Sequence, residues 1–377
     1  MNKESSIPVF LSSNENFAPL VAVTIASICS NTKSFVNFYV LDSDINELSK
    51  RKIEKLKEKF TNFSIEYLKV DLDKYFKNYV QTAAVSRDTY SKYLIPLLKP
   101  ELDKVIYSDV DVIVLGDIKE MYDIDLKDTY VGACPRYFYY DDEHLKNDLN
   151  MTDEELKGYA FQCGNLLINC KKWREDNVLE KFLKVHQDYG NKVYGVDQDV
   201  LFKVFKNNFT PIHSKFCSTT LICDGFYGNK SINGMPEVKI RLRGNDKKED
   251  VLKELEEAIT NPVIRHFETK NKPWSTELSI YSGKRMTFFK EFWYYAKMTE
   301  FFDDIMLRFV ISGNNSITNI IISENKKTAN IITNRLDFET KNIKLFNLIP
   351  LIKIYKKNNK IKYKLFGFIP FLTIKLK

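Results

Sequence analysis

Two carboxylates interrupt an apolar run in the segment "IYSDVDVIV", residues 106–114. Asp109 and Asp111 are separated by one residue, and alternate residues of a strand point to the same side. Two clustered carboxylates in a mostly buried setting are unfavourable unless a cation or protons compensate their charge. A divalent metal that holds a phosphate-bearing ligand would supply that charge. A pair of surface aspartates at a strand end would need no metal, and the spacing alone leaves both interpretations open.

The two aspartates lie in the fourth strand-like segment of a regular alternation of strands and helices. The strand-like segments are "IPVFLSS", "VNFYVLDSDI", "FSIEYLKVD" and "DKVIYSDVDVIVL", with helix-like segments between them. This alternation predicts an α/β fold with a Rossmann-like, mostly parallel sheet and flanking helices. Ligands of such sheets bind beyond the carboxyl ends of the strands. We therefore expect Asp109 and Asp111 at a ligand-binding edge.

The excess of basic over acidic residues lies at the C-terminus of the 377-residue chain, which has a formal net charge of +7. Residues 341–377 contain ten lysines and no acidic residue. Removing those ten from the 57 basic residues leaves 47, against 50 acidic residues. A near-neutral body without an RNA-binding motif argues against a nucleic-acid partner.

The cysteines and the N-terminus suggest a location for the protein. Six cysteines show neither a CxxC pair nor a zinc-ligand spacing, as is usual for reduced thiols in a cytosolic protein. The N-terminus lacks the apolar stretch of a signal peptide, and no segment reaches the ~20 apolar residues of a membrane span. We expect a cytoplasmic protein, peripheral at the inner face of the cell membrane.

Six segments, taken in order, resemble glycosyltransferase family 8, the retaining nucleotide-sugar transferases that include lipopolysaccharide galactosyl- and glucosyltransferases and glycogenin. They are "FLSSNENFAPLVAVTIAS", "RDTYSKYLIPLLKP", "DKVIYSDVDVIVLGD", "FQCGNLLINCKKW", "VDQDVL" and "HFETKNKPW". Together they cover about residues 7–275, and their common order is more specific than any single motif. The resemblance implies the GT-A type nucleotide-diphospho-sugar transferase fold, a divalent cation (Mn²⁺ or Mg²⁺) and a UDP-sugar donor.

The resemblance implies metal binding by Asp109, Asp111 and His266. Two carboxylates and an imidazole would leave open positions for diphosphate oxygens and would suit Mn²⁺ better than Mg²⁺. Lys272, in the adjoining "KPW", would contact the diphosphate as a compact point charge. An ordinary hydrogen-bonded loop histidine is the alternative for His266.

The resemblance also implies nucleotide contacts around the first strand. Asn14, Asn16 and Phe17 match positions that contact the uracil, where base stacking on a ring is typically worth about 1–3 kcal/mol. An ordinary turn after a strand is the alternative for this segment. The complete nucleotide-sugar-binding set is Ser12, Asn14, Asn16, Phe17, Lys92, Asp109, Val110, Asp111 and Lys272.

Asp197 and Gln198 match the pair that lies beside the anomeric carbon in the family. Glutamine is a poor nucleophile, but it can orient the sugar or stabilise a developing oxocarbenium ion. The leaving UDP can itself deprotonate the acceptor hydroxyl. Asp197 also opens a helix, where it can act as an N-cap without a catalytic role. Gln162 is the next catalytic candidate.

Five positions depart from the family pattern. Asn14 replaces an aspartate; Gln162 replaces an asparagine and keeps the amide, and Lys92 replaces an arginine and keeps the positive charge. Thr269 replaces a glycine that passes close to the diphosphate, and Arg136 follows "GACP", where an acidic residue is commoner. The last two changes leave the donor sugar and the acceptor open.

We expect a catalytic domain over residues 1–280, an aromatic helix over 281–312 and a basic, aromatic appendage over 313–377. In the appendage, "IKLFNLIPLIKI" (343–354) recurs as "YKLFGFIPFLTI" (363–374). Each apolar core is too short to span a bilayer, and its proline favours short strands or turns. The appendage either packs on the body as a hairpin or anchors the protein to anionic lipids. In the second case the apolar wedges would be Phe346, Phe366 and Phe368.

The resemblance to glycosyltransferase family 8 implies a metal-dependent retaining hexosyltransferase. It would move a hexose, with glucose or galactose favoured, from a UDP-sugar to a cell-surface glycan or lipopolysaccharide-type acceptor. Its partners would be the UDP-hexose, a glycan or glycolipid acceptor, and an anionic membrane surface reached through residues 341–377. A non-catalytic nucleotide-sugar or glycan-binding protein on the same fold is the alternative.

Overall fold

The chain divides into two units, residues 1–313 and residues 314–377, in this computed structural model. The structure describes residues 6–82, 85–137, 142–158, 160–220, 222, 240, 242–268, 272–274, 284–308, 342–345, 349–357, 360–365 and 369–375. No helix within these ranges is long and apolar enough to cross a membrane. Thr269, Phe346, Phe366 and Phe368, discussed above, lie outside these ranges, as does one of the six cysteines, Cys223.

Ten strands are described in the first unit. In chain order they are β1 (Ile7–Ser13), β2 (Val36–Asp42), β3 (Phe63–Lys69), β4 (Lys104–Ser108), β5 (Val112–Val114), β6 (Val131–Pro135), β7 (Phe161–Asn169), β8 (Thr210–Pro211), β9 (Ser218–Thr219) and β10 (Ile264–His266). Seven of them form a sheet in the order β3-β2-β1-β4-β7-β6-β8. Only β7 runs antiparallel to its neighbours, β4 and β6, so the predicted mostly parallel sheet is confirmed.

Helices lie on both faces of this sheet, because helical residues contribute to both of its apolar cores. The helices described in the first unit are α1 (Ala18–Asn31), α2 (Glu47–Glu54), α3 (Leu72–Phe76), α4 (Ile95–Leu98), α5 (Lys119–Tyr122), α6 (Asp142–Asn147), α7 (Cys170–Glu175), α8 (Val178–Tyr189), α9 (Asp197–Phe205), α10 (Lys248–Thr260) and α11 (Lys284–Ala296). Alternate residues of β1 enter two apolar cores: Val9 and Leu11 enter one, and Phe10 enters the other. Helix α1 is buried along most of its length, as expected for a helix that is apolar on all sides.

The predicted fourth strand, residues 103–115, is not continuous. β4 ends at Ser108 and β5 begins at Val112. The chain passes here from the large sheet to a small one of order β5-β10-β9, in which β5 pairs antiparallel with β10. Asp109 and Asp111 therefore lie in a connection between two sheets. The prediction that both lie on one face of a strand is wrong. The connection still follows the carboxyl end of β4, which is parallel to β1.

The aromatic segment expected as one helix over 281–312 contains a break. Helix α11 ends at Ala296, and helical residues resume at 302–308. Thr299 accounts for the interruption, because its hydroxyl donates to the Ala296 carbonyl and accepts from the Phe301 amide. Such local side-chain hydrogen bonds compete with those of a helix.

The second unit contains a four-stranded antiparallel sheet. Its strands, in spatial and chain order, are β11 (Asn342–Leu345), β12 (Ile349–Lys357), β13 (Lys360–Leu365) and β14 (Ile369–Lys375). The first repeat lies in β11 and β12, and the second lies in β13 and β14. Short strands are what the sequence predicts for these segments.

His186, on α8, should make the stability of the first unit depend on pH. Its ring stacks on Tyr79 with centroids 3.7 Å apart, and burial lowers its pKa from 6.5 to about 4. Between pH 4 and 6.5 the unfolded chain therefore binds more protons than the folded one. The free energy of unfolding should fall by up to about 3 kcal/mol as the pH drops from 6.5 to 4. His186→Phe should remove this component in urea unfolding followed across that range. Equal pH slopes in the two proteins would contradict the prediction.

Candidate functional site

Asp109, Asp111 and His266 form an acidic cluster beyond the carboxyl end of β4. One potential ligand atom from each lies within 4.8 Å of the others. His266 Nε2 is 3.0 Å from Asp111 Oδ1 and 3.7 Å from Asp109 Oδ2. The pairing of β10 with β5 brings the imidazole to the aspartates. Val110 lies between the two aspartates in the sequence, and its carbonyl accepts a hydrogen bond from the Thr24 hydroxyl at 3.0 Å. This bond links the connection between β4 and β5 to α1.

The charges in this cluster are unequally compensated. Burial raises the pKa of Asp109, and the negative charge of Asp111 adds to that effect, against the opposing influence of Lys92 and His266. Burial also acts to raise the pKa of Asp111, but Lys272 and His266 outweigh it and lower this pKa. For His266, burial acts to lower the pKa, whereas Asp111 raises it well above its usual value. Asp109 is thus the less compensated carboxylate, and a cation would supply the missing charge.

Lys272, in the "KPW" segment, contacts the acidic cluster. Its Nζ donates to Asp111 Oδ2 at 2.5 Å and also to the carbonyl of Phe267. About a fifth of each side chain is exposed in this Lys272–Asp111 pair. The ammonium group is therefore next to a proposed metal ligand and partly open to solvent, where an anionic group of a ligand could reach it.

Gly164, in β7, provides the space that the cluster occupies. A Cβ added there would lie 2.4 Å from Cε1 of His266 and 2.7 Å from Oδ2 of Asp109, closer than real Cβ contacts allow. The Gly164 carbonyl also accepts from the Asp109 amide at 2.7 Å. Gly164 is not among the predicted site residues, although it is present in "FQCGNLLIN". Gln162 is buried two positions earlier on the same face of β7.

Lys92 links the cluster to α9. Its Nζ donates to Asp197 Oδ2 at 2.6 Å and to the Cys163 carbonyl at 3.2 Å, and it lies 4.4 Å from the centroid of the Tyr107 ring. The Tyr107 hydroxyl donates to Asp109 Oδ1 at 2.8 Å. Burial acts to lower the pKa of Lys92, but Asp197 and Asp109 raise it, so the buried ammonium stays charged. A continuous network therefore joins Asp197 to Asp109.

Gln198, the next residue of α9, contacts Arg136. The guanidinium Nη1 donates to Gln198 Oε1 at 3.1 Å. Because arginine has donors only, the amide oxygen of Gln198 faces Arg136 and its NH₂ group points elsewhere. The departure at Arg136 therefore bears directly on a predicted catalytic residue.

The backbone before Asp197 is held in an unusual conformation. Val196 has a φ of +60°, which a β-branched residue rarely adopts. Asp199 stabilises this turn, since its Oδ2 accepts from the Gly195 amide at 2.7 Å and lies 2.8 Å from His144 Nε2. Backbone strain of this kind is concentrated at functional sites. This turn directly precedes Asp197, the first residue of α9.

The residues predicted to contact the nucleotide near the first strand lie at the end of β1, and two of them bind Asp88. Ser12 Oγ donates to the Asp88 carbonyl at 2.6 Å, and Asn14 Nδ2 donates to Asp88 Oδ2 at 2.8 Å. Asn14 Oδ1 accepts from the Asn16 amide at 3.0 Å, as the N-cap of a 3₁₀ turn that ends at Phe17. Phe17 is 38% exposed. Asn14 thus has a structural role in the turn, as the alternative interpretation of this segment expects, and Asp88 is absent from the predicted set.

Residues 8–277 match the profile of Glycosyl transferase family 8. A Haemophilus influenzae protein is 32% identical over 213 residues, which cover 55% of this chain and 62% of that protein. Glycosyltransferase GlyF of Streptococcus pneumoniae is 25% identical over 291 residues, which cover 76% of this chain and 60% of GlyF. The chain spans about three fifths of the length of these two relatives.

The fold is similar to that of the galactosyltransferase LgtC, whose structure is known in complex with donor and acceptor sugar analogs. The TM-score is 0.63 at 21% sequence identity, over 78% of this chain and 96% of LgtC. At this identity the likeness concerns the fold alone. The predicted GT-A fold is confirmed.

Proposed function

Because the chain belongs to glycosyltransferase family 8, a family of retaining glycosyltransferases, we propose that it transfers a hexose from a UDP-sugar. Glucose and galactose are the favoured sugars, and the acceptor is a cell-surface glycan or a lipopolysaccharide-type glycolipid. The observation that carries the proposal is the convergence of Asp109, Asp111 and His266 beyond the carboxyl end of β4. Ligands of α/β sheets bind at this edge.

The acidic cluster fits Mn²⁺ or Mg²⁺. Two carboxylates and one imidazole form a mixed oxygen and nitrogen ligand set, which suits Mn²⁺ better. Gly164 keeps the space beside His266 and Asp109 free of a side chain. A bound divalent cation would stabilise the charge of the departing diphosphate. The residues that would hold it are Asp109, Asp111 and His266, with Lys272 adding positive charge beside them.

The sugar would lie between this cluster and α9. Lys92 holds Asp197 through a buried ion pair, so Asp197 has a fixed position. The NH₂ group of Gln198 is then available to donate to a sugar oxygen, because Arg136 holds the amide oxygen. A group that orients the sugar by a hydrogen bond, without forming a covalent bond to it, suits a reaction in which the acceptor attacks from the face that UDP leaves.

The donor and acceptor can be identified by a transfer assay. We expect the protein with Mn²⁺ to add one hexose to a component of the organism's glycolipid extract when given UDP-glucose or UDP-galactose, as seen by mass spectrometry. A non-catalytic nucleotide-sugar or glycan-binding protein on the same fold would give no mass increase with any UDP-sugar. That outcome would favour the alternative.

Gln198→Ala should separate binding from chemistry. Its contacts would be with the sugar, so we expect UDP affinity close to wild type and loss of most transfer activity, of the order of 10²–10³-fold, as for removal of one stabilising donor. The measurement is kcat with a saturating UDP-sugar, beside calorimetry with UDP. Turnover near that of wild type would move the catalytic role elsewhere, with Gln162 as the next candidate.

The second part of the proposal is that the C-terminal sheet binds an anionic membrane surface. Its register places lysines directly opposite each other in three pairs: Lys353↔Lys364, Lys357↔Lys360 and Lys360↔Lys375. Directly opposed like charges destabilise a sheet, and an anionic surface would compensate them. Lys362 shares this face, because alternate strand positions do. The lysine face therefore comprises Lys353, Lys357, Lys360, Lys362, Lys364 and Lys375.

Neutralising the lysine face should release the protein from anionic vesicles. Three lysines near such a surface contribute at most about 1 kcal/mol each, so K353Q/K362Q/K364Q should weaken cosedimentation with phosphatidylserine vesicles by roughly 100-fold at low salt. The control K341Q/K356Q/K377Q removes the same charge, but Lys356 pairs with Ile361 on the other face and the other two lysines flank the strands. Its binding should fall much less.

Truncation after residue 335 completes this test. It should abolish cosedimentation and leave UDP-sugar hydrolysis largely intact. If the truncated protein still sediments, or the full chain never does, the membrane proposal is wrong and the packed hairpin is favoured.

A further inference from the structure

The ring nitrogen of His266 that faces away from the aspartates contacts a buried cysteine. His266 Nδ1 lies 3.7 Å from Sγ of Cys217, while Nε2 faces Asp111. Cys217 is fully buried and directly precedes β9, whose Thr219 is the register partner of His266. We propose that Cys217 is a positioning residue, which orients the His266 imidazole for a divalent cation.

Cys217 is itself held in place from the strand that leads to the aspartates. Asn165 Nδ2 donates to Cys217 Sγ at 3.4 Å, and Ser108 Oγ donates to Asn165 Oδ1 at 2.8 Å. All three side chains are buried. Ser108 is the last residue of β4 and immediately precedes Asp109. A chain of buried hydrogen bonds therefore connects the end of β4, next to Asp109, with the His266 ring.

The chemistry of a ligating histidine requires such a partner. A neutral imidazole that binds a cation through Nε2 carries its proton on Nδ1, and the acceptor of that proton fixes the tautomer and the ring plane. Here the acceptor is Sγ of Cys217, in place of the usual carboxylate, carbonyl or water. Cys217 would act through His266, because the group that could hold the cation consists of Asp109, Asp111 and His266. This inference rests on the metal site of the proposed function.

Four variants test whether Cys217 acts through its hydrogen bond with His266 or only through the packing of its side chain. Cys217→Ala removes the sulfur and leaves a small cavity, while Cys217→Val fills that cavity with one methyl group, adds a second, and supplies no acceptor. Cys217→Ser restores an acceptor. Cys134→Ala is the matched control, because Cys134 is an equally buried thiol whose Sγ contacts the His213 carbonyl.

The readout is Mn²⁺ affinity in the absence of nucleotide, from the loss of the free-ion electron paramagnetic resonance signal on titration. We expect Cys217→Ala and Cys217→Val to weaken it roughly 10–100-fold, Cys217→Ser to stay close to wild type, and Cys134→Ala to have no effect. Wild-type affinity in Cys217→Val would overturn the inference while the metal site stands. If the wild-type protein bound no Mn²⁺, the metal site itself would be wrong and the inference would fall with it.

Discussion

Replacing Asp109 by asparagine should abolish Mn²⁺-dependent UDP binding and leave the fold intact. Asparagine keeps the size of the side chain and an oxygen for the Tyr107 hydroxyl, which donates to Asp109 Oδ1. It removes the negative charge that would face the cation. Burial raises the pKa of Asp109, so losing this charge should not destabilise the metal-free protein and can stabilise it. We expect the UDP–Mn²⁺ affinity to fall by more than the roughly 10–100-fold typical of outer-shell changes.

Calorimetry with UDP and Mn²⁺ measures this effect, with thermal unfolding in EDTA as the test of folding. Asp123→Asn is the matched control, because Asp123 pairs with Lys119 on the surface and its loss removes the same charge away from the cluster. The control should bind UDP–Mn²⁺ as wild type does. Unchanged affinity in Asp109→Asn would show that the acidic cluster does not bind the metal.

Gly164→Ala should disrupt the metal site with a single methyl group. The added Cβ would lie 2.4 Å from Cε1 and 2.9 Å from Nδ1 of His266, and 2.7 Å from Oδ2 of Asp109. Either these side chains or β7 must then move. Overpacking of this kind typically costs about 1–3 kcal/mol of stability, and we expect Mn²⁺ affinity to fall at least as far as with Cys217→Ala.

Gly132→Ala is the control for this change. Gly132 lies on the neighbouring strand β6, and a Cβ there would lie 2.8 Å from the end of the flexible Leu126 side chain. That variant should lose some stability and keep its Mn²⁺ affinity. Equal Mn²⁺ affinities in Gly164→Ala and wild type would mean that the space beside His266 is not needed.

The sheet and its helices could be predicted from the sequence, because hydrophobic periodicity reports which faces are buried. The break between β4 and β5 could not. Residues 103–115 read as one strand, because alternate positions can carry the two aspartates on one face. The pairing of β5 with β10 depends on a segment about 150 residues away. The sequence therefore predicts both aspartates on one face of a strand, whereas the connection between two sheets brings them together.

The residue types of the candidate site could be proposed from motifs, but not the contacts between distant residues. Arg136 departs from the family pattern in the sequence, and its contact with Gln198, 62 positions away, appears only in the fold. Asp88 organises Asn14 from 74 positions away. Gly164 has no side chain to suggest a function, and its importance is the space it leaves.

The most direct test of the central claim is UDP release from UDP-glucose and UDP-galactose without an acceptor, measured with Mn²⁺, with EDTA, and after Mn²⁺ is restored. A metal-dependent transferase should hydrolyse one of these donors slowly. We expect EDTA to stop UDP release, Mn²⁺ to restore it, and Asp109→Asn to show none. Donor binding without any UDP release would identify a non-catalytic binding protein, and release that EDTA does not affect would contradict the metal site.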